Sequence, residues 1–368
     1  MKVLLLGDAS NYHRTLATGL RGLGHDVTVA SDGSRWMDTA RDIDLSRRPG
    51  KLGGALLWLK LNTVLASDLR GYDVVQLVSP SFVQLRPKRL IKLLRKLKHD
   101  NGAVYLTALG TDSHLVRNLL GPRPALAYSE WHNEHGPSAW SATPAAERDQ
   151  WLAQELADYT DEFYNTVDGA VTALYEYHRI AEAETPQLPI AYGGIPILIP
   201  DARLRQRDFA APLTVMMPAH RGREAEKGAD MLRELFMCLA SDLPRRLRLW
   251  QPENVPYSQF TGLLDRADIV VDQLYSYTPA TTALLTMARG AVAVSGGEED
   301  FYRFIGEPAL RPIINPDPRN IEDTYNNISR LLAEPAELAR MAAQAPEFVA
   351  RHNSADVVAR RFEKFWLR

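Results

Sequence analysis

Two cations and a helix start stand together in His220-Arg221-Gly222-Arg223-Glu224-Ala225-Glu226-Lys227-Gly228-Ala229-Asp230. The stretch follows a strand-like run and reads as opening a helix at Lys227. A helix N-terminus placed after a parallel strand points free backbone N–H groups at any anion lying there. Arg221 adds a planar fork of donors and Lys227 a point charge, a pair suited to the two charges of a diphosphate. The competing reading is an exposed loop of alternating charge. A second helix start follows in Tyr275-Ser276-Tyr277-Thr278-Pro279-Ala280-Thr281-Thr282, with Thr278 as the cap and Pro279 in the first turn. Its amides would hold phosphate, while the hydroxyls of Tyr275, Tyr277 and Thr281 face a sugar. Ser295-Gly296-Gly297-Glu298-Glu299-Asp300 pairs close backbone approach at Gly297 with carboxylates at Glu298 and Glu299, groups that suit sugar or ribose hydroxyls. Acids in a first helical turn also simply complement the macrodipole.

The N-terminal half carries a polar set of its own. Gly7-Asp8-Ala9-Ser10-Asn11-Tyr12-His13 follows the first strand-like run, and Ala108-Leu109-Gly110-Thr111-Asp112-Ser113-His114 follows another. Asp8, Asn11, His13 and Thr111 are candidates for the acceptor side of a cleft. Asp112 is a candidate base or hydroxyl ligand, and equally a capping aspartate.

Groups so far apart in sequence need a scaffold that brings strand ends together. Apolar runs at 3–6, 27–30, 73–78, 103–106 and 170–173 alternate with helix-like segments, which predicts a parallel sheet with helices on both faces. A Gly- and Pro-rich stretch, 191–201, interrupts the pattern and reads as a hinge. The alternation resumes with runs at 213–217, 247–250, 269–271 and 291–294, then three helices from Ile321, Pro335 and Ser354. The expected architecture is α/β: two facing Rossmann-like domains, residues 1–195 and 196–354, with an apolar C-terminal helix, about 355–368, docking back on the first. A chain of 368 residues is long for one core and agrees with two.

Composition excludes several classes. Apolar content of 45%, charged content of 24% and a net charge of −2 describe a folded globular chain with no overall pull toward nucleic acid. No run is long enough to span a bilayer, and the single cysteine, Cys238, supports neither a disulfide within the chain nor a cysteine metal cluster, so a cytoplasmic location is expected. Metal is not expected: Asp42-Ile43-Asp44 follows no clear strand, and His132-Asn133-Glu134-His135 lacks helical ligand spacing. Arg86 to Lys98 holds seven basic residues and no acid, with leucines at helical spacing. It reads either as a solvated outer helix or as a contact with the inner face of a membrane. The aperiodic stretch 121–143, with Tyr128, Trp131 and Trp140, is the kind of long aromatic loop that is often functional.

These residues together resemble the retaining, GT-B fold glycosyltransferases of the "group 1" family, in a divergent bacterial branch. Gly7 to His13 and Gly24-His25-Asp26-Val27-Thr28 are similar to that family's first β-α-β unit, and Arg221 with Lys227-Gly228 to its diphosphate-binding pair. Asp272 to Pro279 resembles a signature of the branch, and Met287-Ala288-Arg289-Gly290 the end of the donor helix. The resemblance implies metal-independent transfer of a sugar, with retention, from a nucleotide diphosphate donor to a glycan or lipid-linked acceptor. The nucleotide sugar is then a co-substrate, and no cofactor is implied. Catalytic roles would then fall to Arg221 and Lys227, with Asp112 kept as the candidate base read from the residues. The wider family has two glutamates where this chain has Tyr277 and Leu285, and Glu298 or Glu299 is the candidate substitute. A nucleotide-sugar 2-epimerase of the same fold, and a nucleotide-sugar-binding protein without catalysis, are the alternatives.

Overall fold

A computed structural model describes residues 1–34, 37–131, 145–201, 204–219, 224–253 and 255–368. The chain forms two compact units. The first comprises Met1–Ala125, Ala145–Pro196 and Ala355–Arg368, and the second Leu126–Pro144 and Ile197–Ser354. Residues 126–131 therefore pack with the second unit, although chain order puts them inside the 1–195 domain.

The first unit is built on seven parallel strands: β1 (Lys2–Leu6), β2 (Asp26–Ser31), β3 (Ile43–Asp44), β4 (Val74–Leu77), β5 (Ala103–Ala108), β6 (Gly169–Thr172) and β7 (Ile190–Tyr192). They lie in the order β3-β2-β1-β4-β5-β6-β7. The second unit has β8 (Leu213–Met216), β9 (Leu247–Trp250), β10 (Ile269–Val271), β11 (Val292–Val294) and β12 (Ile313–Ile314), in the order β12-β11-β10-β8-β9. Strands buried on both faces read as continuous apolar runs, which is why the inner strands are legible in the sequence. The short edge strands β3, β7 and β12 are not. β3 falls within Asp42-Ile43-Asp44, and its acids have structural partners: Asp42 accepts from Arg21 at 2.8 Å and Asp44 from Arg41 at 2.7 Å. The stretch 191–201, expected as a break in the pattern, begins inside β7. Among the described residues no cluster of His, Cys, Asp and Glu could hold a metal, and no helix is long and apolar enough to cross a membrane. His132–His135 lie outside the described residues.

Helix Ala355–Trp366 returns to the first unit and packs against helix Tyr12–Gly22, as its apolar face with Phe362, Phe365 and Trp366 requires. Gly19 makes the approach possible, since a Cβ there would lie 2.3 Å from the Ala355 carbonyl oxygen. Beneath this contact runs a buried chain of hydrogen bonds. Trp366 Nε1–H donates to Gln76 Oε1 at 3.0 Å, and Gln76 Nε2 donates to Thr107 Oγ1 at 3.0 Å. Thr107 lies 3.2 Å from His13 Nε2, and His13 Nδ1 lies 2.7 Å from the Gly7 carbonyl. A carbonyl only accepts, so Nδ1 carries the proton and Nε2 accepts from the Thr107 hydroxyl.

His13 is thus a neutral, fully buried strut, not an acceptor ligand, and burial lowers its pKa from 6.5 to about 4. The unfolded chain takes up this proton first, so the stability that His13 contributes is present above pH 6.5 and lost as pH falls toward 4. At about 1.4 kcal/mol per pH unit between those values, the loss is about 3 kcal/mol. His13→Gln keeps a donor for Gly7 and an acceptor for Thr107 but cannot titrate. Denaturant unfolding from pH 7 to 4.5 is expected to show a shallower decline for this variant than for the wild type. Parallel declines would contradict the assignment.

Candidate functional site

The second sheet reverses direction between β8 and β10: β9 is added on one side of β8, and β10 on the other. Crevices at the carboxyl ends of strands open at such switch points. The loops after β8 and β10 meet there. Lys227 ends a short helix, Glu224–Lys227, and the next helix, Ala229–Asp242, opens after Gly228 at φ 63°. Lys227 therefore precedes the helix start instead of forming it. Its Nζ donates to Asp272 Oδ1 at 3.0 Å, and the Leu274 N–H donates to the Lys227 carbonyl at 2.8 Å. Asp272 has a 1% exposed side chain while Lys227 retains 25%, so a buried carboxylate aims a partly exposed ammonium. An ammonium has three donors and Asp272 takes one, which leaves Lys227 able to meet an anion. Arg221 lies outside the described residues.

The loop after β10 departs from the expected cap. Helix Thr281–Met287 begins after Ala280, and Thr278 does not cap it. Before that helix the chain runs close against the turn after β11, where a Cβ on Gly296 would lie 2.4 Å from the Ser276 carbonyl oxygen and 2.6 Å from the Thr278 amide. Thr278 is buried in this contact, and Thr281 remains partly exposed as the first helical residue. Tyr275 is half-buried, its hydroxyl 3.3 Å from the Met231 sulfur.

Tyr277 does not offer its hydroxyl to a sugar as expected. Its ring stacks on Tyr128 at 4.4 Å between centroids, and its oxygen accepts from the Tyr128 N–H at 3.1 Å. Burial holds this phenol well above its usual pKa, so it stays neutral. Tyr128, itself almost fully buried, donates its hydroxyl to Glu298 Oε1 at 2.8 Å. Asn315 Nδ2 donates to the same oxygen at 2.9 Å, while its Oδ1 accepts from the Gly297 N–H at 2.9 Å. The Glu298 N–H donates to the Tyr277 carbonyl at 3.2 Å. Arg319 lies over the Tyr128 ring, 5.5 Å from its centroid, and is held by Asp317 at 2.8 and 2.9 Å. The carboxylate of Glu298 is thereby fixed beside Tyr277, on the adjacent strand's turn. Glu299 turns away. Its side chain is 67% exposed and pairs with Arg311 at 2.8 and 3.1 Å.

The acceptor-side set largely serves the fold of the first unit. Asp8 Oδ1 accepts from the His13 N–H and Oδ2 from the Thr39 hydroxyl, both at 2.9 Å, so this buried acid caps the first helix. Asp112 caps helix Ser113–Leu119 through the Leu115 N–H at 2.9 Å, and its second oxygen accepts from Tyr164 at 2.8 Å. Burial raises its pKa despite these bonds, and the partners it has are those of a helix cap and of Tyr164. Asn11, at φ 63° beside Ser10 at φ 53°, and Thr111 stay partly exposed at the ends of β1 and β5. Consecutive left-handed residues other than glycine are costly and tend to persist where a loop has a use. Tyr128, Arg319 and Asn315 were not singled out from the sequence as site residues. Only the aromatic loop pointed toward Tyr128, and no local signal marks the other two.

No family model and no curated protein sequence matches this chain. Solved structures do. An alpha-glucosyltransferase in complex with UDP is 12% identical, with a TM-score of 0.62 and full coverage of both chains. Sucrose-phosphate synthase from Thermosynechococcus elongatus is 11% identical, with a TM-score of 0.60 over 100% of this chain and 98% of that one. Anabaena HepE in complex with UDP is 12% identical, with a TM-score of 0.55 over 99% of each. At such identities the likeness speaks to architecture, and the architecture of this chain is the GT-B fold, with two Rossmann-like domains.

Proposed function

We propose that the chain is a glycosyltransferase that moves a sugar from a nucleotide diphosphate donor to a glycan or lipid-linked acceptor, with retention and without a metal. The observation that carries the reading is the Lys227 ammonium, held by Asp272 at the switch point of the second sheet. In the proposed step the bond from the anomeric carbon to the phosphate oxygen breaks and one to the acceptor oxygen forms. The acceptor proton passes to the departing diphosphate. Lys227, with Arg221 as the proposed second cation, stabilises the negative charge that grows on that leaving group, a contribution realised mainly in the transition state. Two neighbours were solved with UDP, which makes a uridine nucleotide the first donor to test.

Glu298 is proposed to replace the carboxylate absent at Tyr277. The Tyr277 position is filled by an aromatic stack, and Leu285 is buried, so neither presents an acceptor atom for a sugar hydroxyl. Glu298 reaches the same neighbourhood from the next turn. Tyr128 and Asn315 both donate to its Oε1, leaving Oε2 to accept from a donor hydroxyl. Glu299, tied to Arg311, has no such part.

Lys227→Ala is expected to lower turnover about a hundredfold or more, as loss of one preorganised donor does, with a smaller effect on donor affinity. Because the substitution also strands the buried Asp272, the control is Lys227→Met with Asp272→Asn, which removes both charges. That pair should recover the wild-type melting temperature and stay inactive. Near-normal turnover in either protein would remove Lys227 from the mechanism. The assay must read glycoside product, because epimerised donor or donor binding without turnover would point to the other two readings.

Glu298→Gln should weaken donor binding or turnover about tenfold or more, the scale of one hydrogen bond to a charged group. Glu299→Ala should change neither. Thermal shifts with UDP-sugars across both variants measure the difference, since a ligand of the native state raises its stability with affinity. Equal effects of the two substitutions would end the distinction.

A further inference from the structure

Helix Gly50–Asn62 is apolar around its whole circumference, with only Lys51, Lys60 and Asn62 as polar side chains. A helix of that kind belongs inside a core or against lipid. Here one side is in the core: Leu57 and Leu61 are buried under the first sheet. The other side is open. Leu52, Leu56 and Leu59, spaced to form one stripe, are 81%, 56% and 58% exposed, and Val64 just beyond is 71% exposed.

The stripe is stitched to the basic helix Pro87–Asp100. Arg47 donates to the Gln84 carbonyl at 2.7 Å and the Gly50 carbonyl at 3.1 Å. Arg89 donates to the Gly54 carbonyl at 2.9 Å and lies over the Trp58 ring at 5.8 Å. The far end of the basic helix is neutralised, with Arg95 paired to Glu162, Lys96 to Asp100 and Lys98 to Asp168. The near end is not. Among the described residues no carboxylate pairs with Arg86, Lys88 or Lys92, nor with Arg48 or Lys51 beside the stripe. No acid occurs from residue 45 to 67 or from 74 to 99.

We propose that this face of the first unit docks on an anionic lipid bilayer. Leu52, Leu56, Leu59 and Val64 enter the boundary between headgroups and acyl chains, and the unpaired cations meet lipid phosphate around them. Exposed leucines beside unpaired positive charge give the two attractions that hold a peripheral helix on a membrane, neither being sufficient alone. A protein partner with an acidic rim would use the same charge. The acid-free composition of both segments favours a surface whose charge is uniform instead of patterned. The inference does not rest on the donor chemistry proposed above, although it would place a transferase where a lipid-linked acceptor is found.

The test is flotation of the full chain with phosphatidylcholine vesicles, with and without about one-third phosphatidylglycerol. Binding should require the anionic lipid and weaken at about 0.5 M salt. Leu56→Ser with Leu59→Ser, and separately Lys88→Glu with Lys92→Glu, should each reduce partitioning about tenfold or more, with melting temperatures unchanged because all four side chains point outward. Absence of binding, or equal binding by both double variants, overturns the proposal. So does self-association in solution that the leucine variant abolishes and vesicles do not compete with, which would make the face a contact between copies. Nucleotide-induced thermal shifts in the same variants should match the wild type. Their loss in every protein, with flotation intact, would count against the donor reading and leave this one standing.

Discussion

A carboxylate withdrawn from water must find a positive partner or give up its charge, and Asp272 finds Lys227. The pairing constrains much around it. Asp272 is fixed at the end of β10 by its N–H bond to Val294 on β11, and Lys227 is carried by the segment after β8. A single ion pair thus spans the place where the strand order reverses. The loop after β10 cannot drift, because the Leu274 N–H bonds to the Lys227 carbonyl. What remains exposed is the ammonium itself, the one part of the pair that an incoming anion could use.

A different logic governs the polar groups of the first unit. Asp8, His13 and Asp112 have the residue types of chemistry, yet each spends its hydrogen-bonding capacity on its own backbone and neighbours. Buried polar atoms have to be satisfied, and here partners within the chain satisfy them. Glu298 shows the contrast. Its donors, Tyr128 and Asn315, both bind Oε1, so the carboxylate is oriented without being used up.

Tyr128 illustrates how a loop residue can orient a carboxylate on a neighbouring turn. Its ring stacks on Tyr277, its hydroxyl orients Glu298, and Arg319 covers its face. The aromatic residue at position 277 in place of an acid thus provides a platform for this loop. The apolar stripe of helix Gly50–Asn62 is organised differently, since its exposed leucines cost hydration wherever they face water and nothing in the described chain covers them.

The sequence by itself determined the alternation of inner strands and helices, the division into two α/β domains and the docking of the C-terminal helix. Those features follow from local periodicity and from apolar residues that must be covered, both of which operate over a few neighbouring positions. It also marked the turns after β8, β10 and β11 as places for anion and sugar chemistry. Only the tertiary structure decided which partners the marked residues have. Glu298 is held beside Tyr277 by Asn315, Glu299 is drawn off by Arg311, and Asp112 is met by Tyr164, all partners distant in the chain. The edge strands β3, β7 and β12 were hidden for a related reason. At the edge of a sheet two or three residues carry too little pattern to read, and it is pairing with a single neighbour that makes them strands.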